Sequence, residues 1–337
     1  NADLLVYNAA GDSGVTYRGR AWDNIIYVLA DLDGMGSEDT IADPDSKYET
    51  ILTEGKDFKV TYKNNIKVST AKTKATYTVT FLGNYKGKAA VKGSFTILPQ
   101  RLNNTSITIP PVSYTKPGAN LPKPYVTYNG ELLKEKTDYT VKYYRTQTYD
   151  YETGGYVYSG PVSSKKGEIL TDADFNGSSS LRLYAVFEGK GNFAKADEYD
   201  VRYTTYTVKK LTSGTDPGNE YKELDLSRAT ISITTKDAKG NVKKVTKFPY
   251  TGSRITFDPN GSGDPSYPAE IKVTYQYDKK TTLTLQYGTD YSLNYYSNLN
   301  KGKATVAVIT TNRSPRYFYD ENYNLTKYDT FINSYHN

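Results

Sequence analysis

The sequence predicts an all-β fold laid out as tandem β-sandwich modules in an elongated rod. Composition is the first reason. Of 337 residues, 35 are Tyr and one is Met, Thr and Val are abundant, and the Ala/Leu/Glu periodicity of helices is missing. Gly and Pro recur at short intervals, as in many strands joined by turns. Recurrence is the second reason. The pattern Asp-[Phe/Tyr]-x-[Val/Leu]-x-Tyr appears three times, anchored at Asp57, Asp138 and Asp290. A catalytic motif rarely occurs three times in one chain, whereas a structural module does.

The first module spans residues 1–99. It begins with "VTYRG" (Val15–Gly19), and Trp22, which follows "YRGRA", reads as core before platform. The acid-rich loop "DLDGMGSEDTIADPD" (Asp31–Asp45) reads first as a solvated loop and second as a holder of a hard cation. In "DFKVTY", Phe58, Val60 and Tyr62 point one way and Lys59 and Thr61 the other, the period of a half-buried strand. Asp57 stands where a carboxylate accepts backbone N–H bonds and shapes the turn into that strand. Gly55 supplies a positive φ two residues earlier. "FLGNYKG" (Phe81–Gly87) and a strand "GSFTIL" complete the module.

The second module, residues 100–210, follows the short and stiff junction "ILPQRLNN". "VSYTKPG" (Val112–Gly118) stands for the Tyr-x-Gly segment, with its glycine displaced. Lys136 replaces the glycine of the Asp turn, so this turn is expected to differ from the others. An insertion, "TYDYETGGYVYSG" (Thr148–Gly160), predicts a hairpin around Gly154 and Gly155. Tyr149 and Tyr151 share one strand face, and Tyr156 and Tyr158 share one on the partner strand. Then come "DADFNG", "FEGKGNF" (Phe187–Phe193) and "YDVRYTTYTV". The third module, residues 211–337, opens with the more pliable "LTSGTDPGNEYKE". "FPYTGSRI" (Phe248–Ile255), the Asp290 strand and "KGKATVAVI" (Lys301–Ile309) follow the common order. "TTNRSPRYFYDENYN" replaces the Gly-Asn-aromatic turn and brings Tyr317, Tyr319 and Tyr323 together in sequence.

About seven alternating runs per segment is the arithmetic of an Ig-like β-sandwich. The order Tyr-x-Gly, the Asp-aromatic strand with its "YKNN" end, Gly-Asn-[Tyr/Phe] and Phe-x-Ile resembles the Ig-like repeats of secreted, cell-wall-associated proteins of Gram-positive gut bacteria. The first module, from Tyr17 to Ile97, carries the pattern most fully. The resemblance implies a sandwich, an extracellular or cell-wall location and a spacer or adhesive role, and it implies no catalytic residues.

Chemistry has little material. The chain contains no Cys, so disulfides and thiolate sites are excluded, and its one His is His336. No Gly-rich phosphate loop leads from a strand into a helix. The formal charge of +6 is a small excess of 43 basic over 37 acidic residues, scattered at alternate strand positions, which argues against a nucleic-acid groove. No apolar run approaches the roughly 20 residues of a membrane helix. The start at Asn1 reads as a piece of a larger, monomeric chain.

Two classes of site remain. "DADFNG" fits the first half of a Ca²⁺ loop through Asp172, Asp174 and Asn176, but Leu183 occupies the closing position, so a polar turn is the first reading and Ca²⁺ the second. The tyrosines of the hairpin read as cross-strand pairs, or as a platform whose rings stack on sugar faces, and Tyr317, Tyr319 and Tyr323 of the third module offer a second such patch. The expected function is therefore a non-catalytic surface spacer and adhesin. The alternative is a carbohydrate-binding protein that engages glycans or host and cell-wall polymers.

Overall fold

The computed structural model describes residues 3–31, 50–110, 112–118, 121–195, 201–216, 219–257, 259, 267–310, 316–319, 321 and 325–332. Strands and short 3₁₀ turns are the regular elements among them. The chain forms two compact units, residues 1–104 with 136–140 and 188–201, and residues 105–135 with 141–187 and 202–337.

The first repeat contains β1 (Asp3–Asn8), β2 (Val15–Thr16), β3 (Ile26–Asp31), β4 (Thr50–Ile51), β5 (Phe58–Lys63), β6 (Ala75–Phe81), β7 (Val91–Phe95) and β8 (Ile97–Leu98). One antiparallel sheet has the order β1-β3-β4 and another β5-β6-β7, and β2 pairs in parallel with β8. The expected alternation holds. Phe58 and Val60 are buried while Lys59 and Thr61 face solvent. Val28, Phe58, Val60, Tyr77, Val79, Phe95 and Ile97 meet in one core, against which Trp22 packs half-buried. Burying a side chain such as Phe95 or Ile97 is worth roughly 1.5–3 kcal/mol each, so the last strand of the repeat is a structural plug.

The Asp turn recurs in all three repeats. Asp57 Oδ2 accepts the Thr53 N–H at 3.0 Å and Asp290 Oδ2 accepts the Gln286 N–H at 2.7 Å. Gly55 and Gly288, at φ 86° and 82°, donate to the carbonyls of Phe58 and Tyr291. The second copy was expected to differ, and it does not. Lys136 enters the left-handed region at φ 71° and donates to the Tyr139 carbonyl at 2.6 Å. The hydrogen bond holds a backbone conformation that a lysine alone disfavours.

The Gly-Asn-aromatic turn is equally repeatable. Leu82 and Lys190 donate to the carbonyls of Asp57 and Asp138 at 2.7 and 2.9 Å. Gly83 and Gly191 sit at φ 52° and 56°, where an added Cβ would lie 3.0 Å from the carbonyl of Lys56 or Thr137. In the first unit, Asn192 bonds Val68 N–H and Gln100 N–H through its side-chain and main-chain oxygens, and Phe193 packs edge-on against Tyr17 at 5.5 Å.

The second repeat contains β9 (Ser106–Thr108), β10 (Val112–Tyr114), β11 (Tyr125–Tyr128), β12 (Glu131–Leu132), β13 (Tyr139–Asp150), β14 (Gly155–Val162), β15 (Ser180–Gly189) and β16 (Val201–Lys210). Its sheets have the orders β12-β11-β9 and β10-β16-β15-β13-β14, with β10 parallel to β16. Tyr143, Leu183, Ala185, Phe187, Tyr206 and Val208 are buried.

The third repeat contains β17 (Ser213–Asp216), β18 (Asn219–Asp225), β19 (Thr230–Lys236), β20 (Val242–Lys244), β21 (Glu270–Gln276), β22 (Thr282–Thr284), β23 (Tyr291–Tyr296), β24 (Thr305–Thr310), β25 (Arg316–Tyr319) and β26 (Leu325–Ile332). Its sheets have the orders β20-β19-β21-β22, β23-β24 and β17-β18-β26-β25. Here the final strand, β26, lies parallel to β18, in the register Glu220↔Lys327 to Asp225↔Ile332.

The strand that follows the Asp turn ends alike in the first and third repeats. Asn64 and Ser297 take φ 56° and 50° and stop β5 and β23. The next residue clamps the Tyr-x-Gly segment from both sides. Asn65 donates its side chain to the Trp22 carbonyl at 2.9 Å and receives Trp22 N–H on its own carbonyl at 2.8 Å. Asn298 does the same with Ile255, at 2.8 and 3.3 Å.

Candidate functional site: a tyrosine face on the β13–β14 hairpin

In the second repeat the corresponding residues are Arg145 and Thr146, and β13 runs on to Asp150. The Arg145 guanidinium is what holds this extension. It bonds the Asp174 carboxylate at 2.6 Å, the Pro161 carbonyl at 2.6 Å and the Ile169 carbonyl at 2.9 Å. The hairpin then closes with Tyr149 opposite Tyr156 and Asp150 opposite Gly155. Its turn is Tyr151–Gly154, centred two residues earlier than the Gly154–Gly155 centre expected from sequence, with Gly154 at φ 68°. Asp150 sets this turn by accepting the Glu152 N–H at 2.9 Å and the Thr153 hydroxyl at 2.8 Å. Those bonds, from Thr153 first and then Glu152, hold its carboxyl below the usual range.

The predicted tyrosines come together, with one change of place. Tyr149, Tyr156 and Tyr158 are on the strands, whereas Tyr151 stands at the turn tip and is 90% exposed. Ring centroids are 5.0 Å apart for Tyr149–Tyr151 and 5.3 Å for Tyr149–Tyr156, both edge-to-face. The run continues onto residues the sequence reading missed. Tyr203 of β16 lies 5.3 Å from Tyr156 and 5.8 Å from Tyr158, and Tyr184 of β15 and Tyr144 of β13 flank Tyr158 at 6.3 and 5.6 Å. Parity could have signalled two of them. Tyr206 and Leu183 are buried, so Tyr203 and Tyr184, an odd number of residues away, belong to the opposite face.

Exposure divides the run into a base and a rim. Tyr149, Tyr156 and Tyr203 are 46, 48 and 39% exposed and form the accessible part with Tyr151. Tyr158 is half-buried, accepts a hydrogen bond from Gln147 at 3.0 Å, and has its hydroxyl pushed up to about 12 by burial, with further upward pressure from Tyr203, Tyr156 and Tyr184. Tyr156 is also raised, first by its hydrogen bond to Tyr203. These hydroxyls therefore stay protonated at neutral pH, as neutral donors and acceptors beside apolar ring faces.

The other sequence candidates are placed differently. Asp172, Asp174 and Asn176 lie in a 3₁₀ turn, Asp172–Phe175, whose C-cap is Asn176 at φ 46°. The two acids face cations rather than gathering around a shared centre. Asp174 pairs with Arg145, and Asp172 with Lys210 at 2.8 Å. Asp174 also accepts the Thr171 N–H at 2.7 Å. The turn is hydrogen-bonded, and each of its two acids has a cation partner. Among the described residues no group of three or more His, Cys, Asp or Glu side chains could hold a metal. Tyr317 and Tyr319 belong to β25, where their backbones pair with Tyr328 and Leu325 of β26. Tyr323, His336 and residues 32–45 of the acidic loop lie outside the described residues.

No protein-family model matches the chain, and no curated protein matches it.

Proposed function

We propose that the chain is a non-catalytic segment of an extracellular bacterial surface protein in which tandem Ig-like repeats act as a spacer and the second repeat binds carbohydrate. The observation that carries the binding reading is the exposed edge-to-face run Tyr151–Tyr149–Tyr156–Tyr203. Sugar rings offer patches of C–H that pack on aromatic faces while their hydroxyls bond nearby phenols. The run stands on a rigid hairpin tied down by Arg145, so little ordering is lost when a ligand binds. Insertions into regular modules are where binding usually resides, and this hairpin replaces a turn that the other two repeats keep. The surface location and the spacer role rest on the repeat pattern itself.

A glycan and mucin array, run with calcium and with chelator, tests the reading. Binding to one sugar class is expected, insensitive to chelator because Asp172 and Asp174 already face cations. Tyr149→Ala with Tyr156→Ala should weaken that binding at least about tenfold, or ~1.4 kcal/mol. Full affinity in the double variant would remove the site. The spacer role is tested separately by small-angle scattering, where an isotropic particle would count against it.

A further inference from the structure

Among the described residues, the third repeat leaves open what the first two repeats close. An apolar cleft of about 880 Å³ lies between the segment Lys244–Thr251 and the start of β24. Its walls include Ile231, Ile233, Phe248, Ile255, Tyr295 and Val306, all only partly buried. In the first repeat the matching space holds Phe95 and Ile97, both buried in the core. In the second, Tyr206 and Val208 are the buried pair of the last strand.

Backbone donors point to the same vacancy. Tyr250 and Gly252 take the places of Tyr17 and Gly19, as the shared Asn65 and Asn298 clamps show, so Phe248 and Pro249 take those of Val15 and Thr16. In the first repeat the N–H groups of Val15 and Tyr17 donate to Thr96 and Leu98 of the closing strand, at 2.9 and 2.8 Å. Strand N–H groups alternate sides, so the intervening Thr16 N–H points away from that ladder, and proline is tolerated there. Pro249 occupies that very position. Phe248 and Tyr250 keep their donors, and these donate to nothing among the described residues. Across the cleft, β24 has β23 as its only ladder partner among the described residues, whereas β6 of the first repeat pairs on both sides.

We propose that this cleft is a strand-acceptor groove, and that the chain's own β26 occupies it in a second packing of the third repeat. Three features favour that occupant. β26 is the last strand of its repeat, as β8 and β16 are of theirs. It has eight residues, the length of the run Val91–Leu98 that closes the first repeat. The groove lining carries Lys244, Lys247, Lys301 and Lys303, and the sequence from Asp320 through β26 brings Asp320, Glu321 and Asp329 against one lysine, Lys327. The strand is parallel to β18 in the packing described, so the exchange trades one parallel ladder for another.

The absence of cysteine makes the test clean. Asp225 and Ile332 are registered partners in the β18 ladder. Aligning β26 end to end with Val91–Leu98 makes Ile332 the partner of Pro249 in the groove, as Leu98 is of Thr16. Mild oxidation of D225C/I332C and of P249C/I332C, followed by peptide mapping, should give an intramolecular disulfide in both. Closure of D225C/I332C alone would overturn the proposal. So would P249C/I332C linking only between molecules, which would make a second copy the occupant. Hydrogen exchange on the unaltered chain guards against misfolded variants. The amides of Phe248 and Tyr250 should exchange about twofold slower than free amides if the two packings are equally populated, and more slowly still if the groove packing prevails, and exchange at the free rate would overturn the groove assignment.

Discussion

Asn64, Arg145 and Ser297 stand at one position of three related strands, and the side chain there separates two outcomes. Asn64 and Ser297 enter the left-handed region, and the asparagine that follows each of them clamps the Tyr-x-Gly segment. Arg145 stays in the strand and spends its donors on the Asp174 carboxylate and on carbonyls of the returning chain. The first arrangement ends a strand and ties a core together. The second carries a strand past the core and holds out a hairpin whose outer rings pack edge-to-face on one another and stay partly exposed. Exposed aromatic surface has thus been added at a turn, where growth outward leaves the buried Tyr139 and Tyr143 at the start of β13 in place.

Replacing Arg145 by Met should break this contrast most severely. It strips the charge partner from an Asp174 side chain that is largely buried, which costs roughly 2–4 kcal/mol. Unfolding of the second unit, followed by hydrogen exchange in β13 and β14, measures the loss. The pH dependence has a defined sign. Burial alone would raise the Asp174 carboxyl, but the Arg145 and Thr171 bonds outweigh it and hold the pKa below the usual value. Its stabilisation is therefore present above the unfolded pKa near 3.8 and is lost as pH falls through the lower folded value. In R145M the two lowering contributions of Arg145 are gone, so the carboxyl moves up, and the gap between variant and parent should narrow as pH falls from that higher folded value to the parent's lower one.

Substituting Ala for Gly83 or Gly191 tests whether the two Gly-Asn turns are the same device. Each substitution forces a Cβ into a positive-φ site 3.0 Å from a carbonyl, and roughly 1–3 kcal/mol should be lost at both in thermal denaturation. Unequal losses would separate the two turns. Asn65→Ala and Asn298→Ala sharpen the comparison of the first and third repeats. Each removes the side-chain bond to a part-buried carbonyl, and Asn298→Ala also removes the long bond that Asn298 accepts from Arg254, for about 1–2 kcal/mol each by denaturant titration. The smallest effect runs the other way. Lys136→Gly relieves a left-handed lysine and should stabilise by about 0.5–1 kcal/mol once the added chain entropy is deducted.

Much of the fold could be read from short stretches. Asp57, Asp138 and Asp290 each announced a turn and a strand, because the carboxylate, the positive-φ residue and the alternation that follows lie within a few residues. Lys136 misled for the same reason. Its local preference opposes the turn, and the bond to Tyr139 overrides it. The hairpin tyrosines were visible as a pattern, but Tyr151 sits in the turn and not on the strand face it was assigned. Nothing within "DADFNG" could show that Arg145 and Lys210 take its acids, since both cations are remote in sequence.

By itself, then, the sequence determined the β class, the three Asp turns, the buried and exposed faces of the strands and the tyrosine content of the hairpin. These follow from the two-residue period of an extended backbone and from the conformational limits of Gly, Asn and Pro, which act over a few bonds. Only the tertiary structure decided that Tyr203 and Tyr184 join the tyrosine face, that Asp174 belongs to Arg145, and that β26 lies on β18 while a groove stays open beside Phe248. Those outcomes depend on which strands become neighbours. Strand pairing across tens of residues is set by the competition of all available edges and apolar faces, and no single stretch contains it.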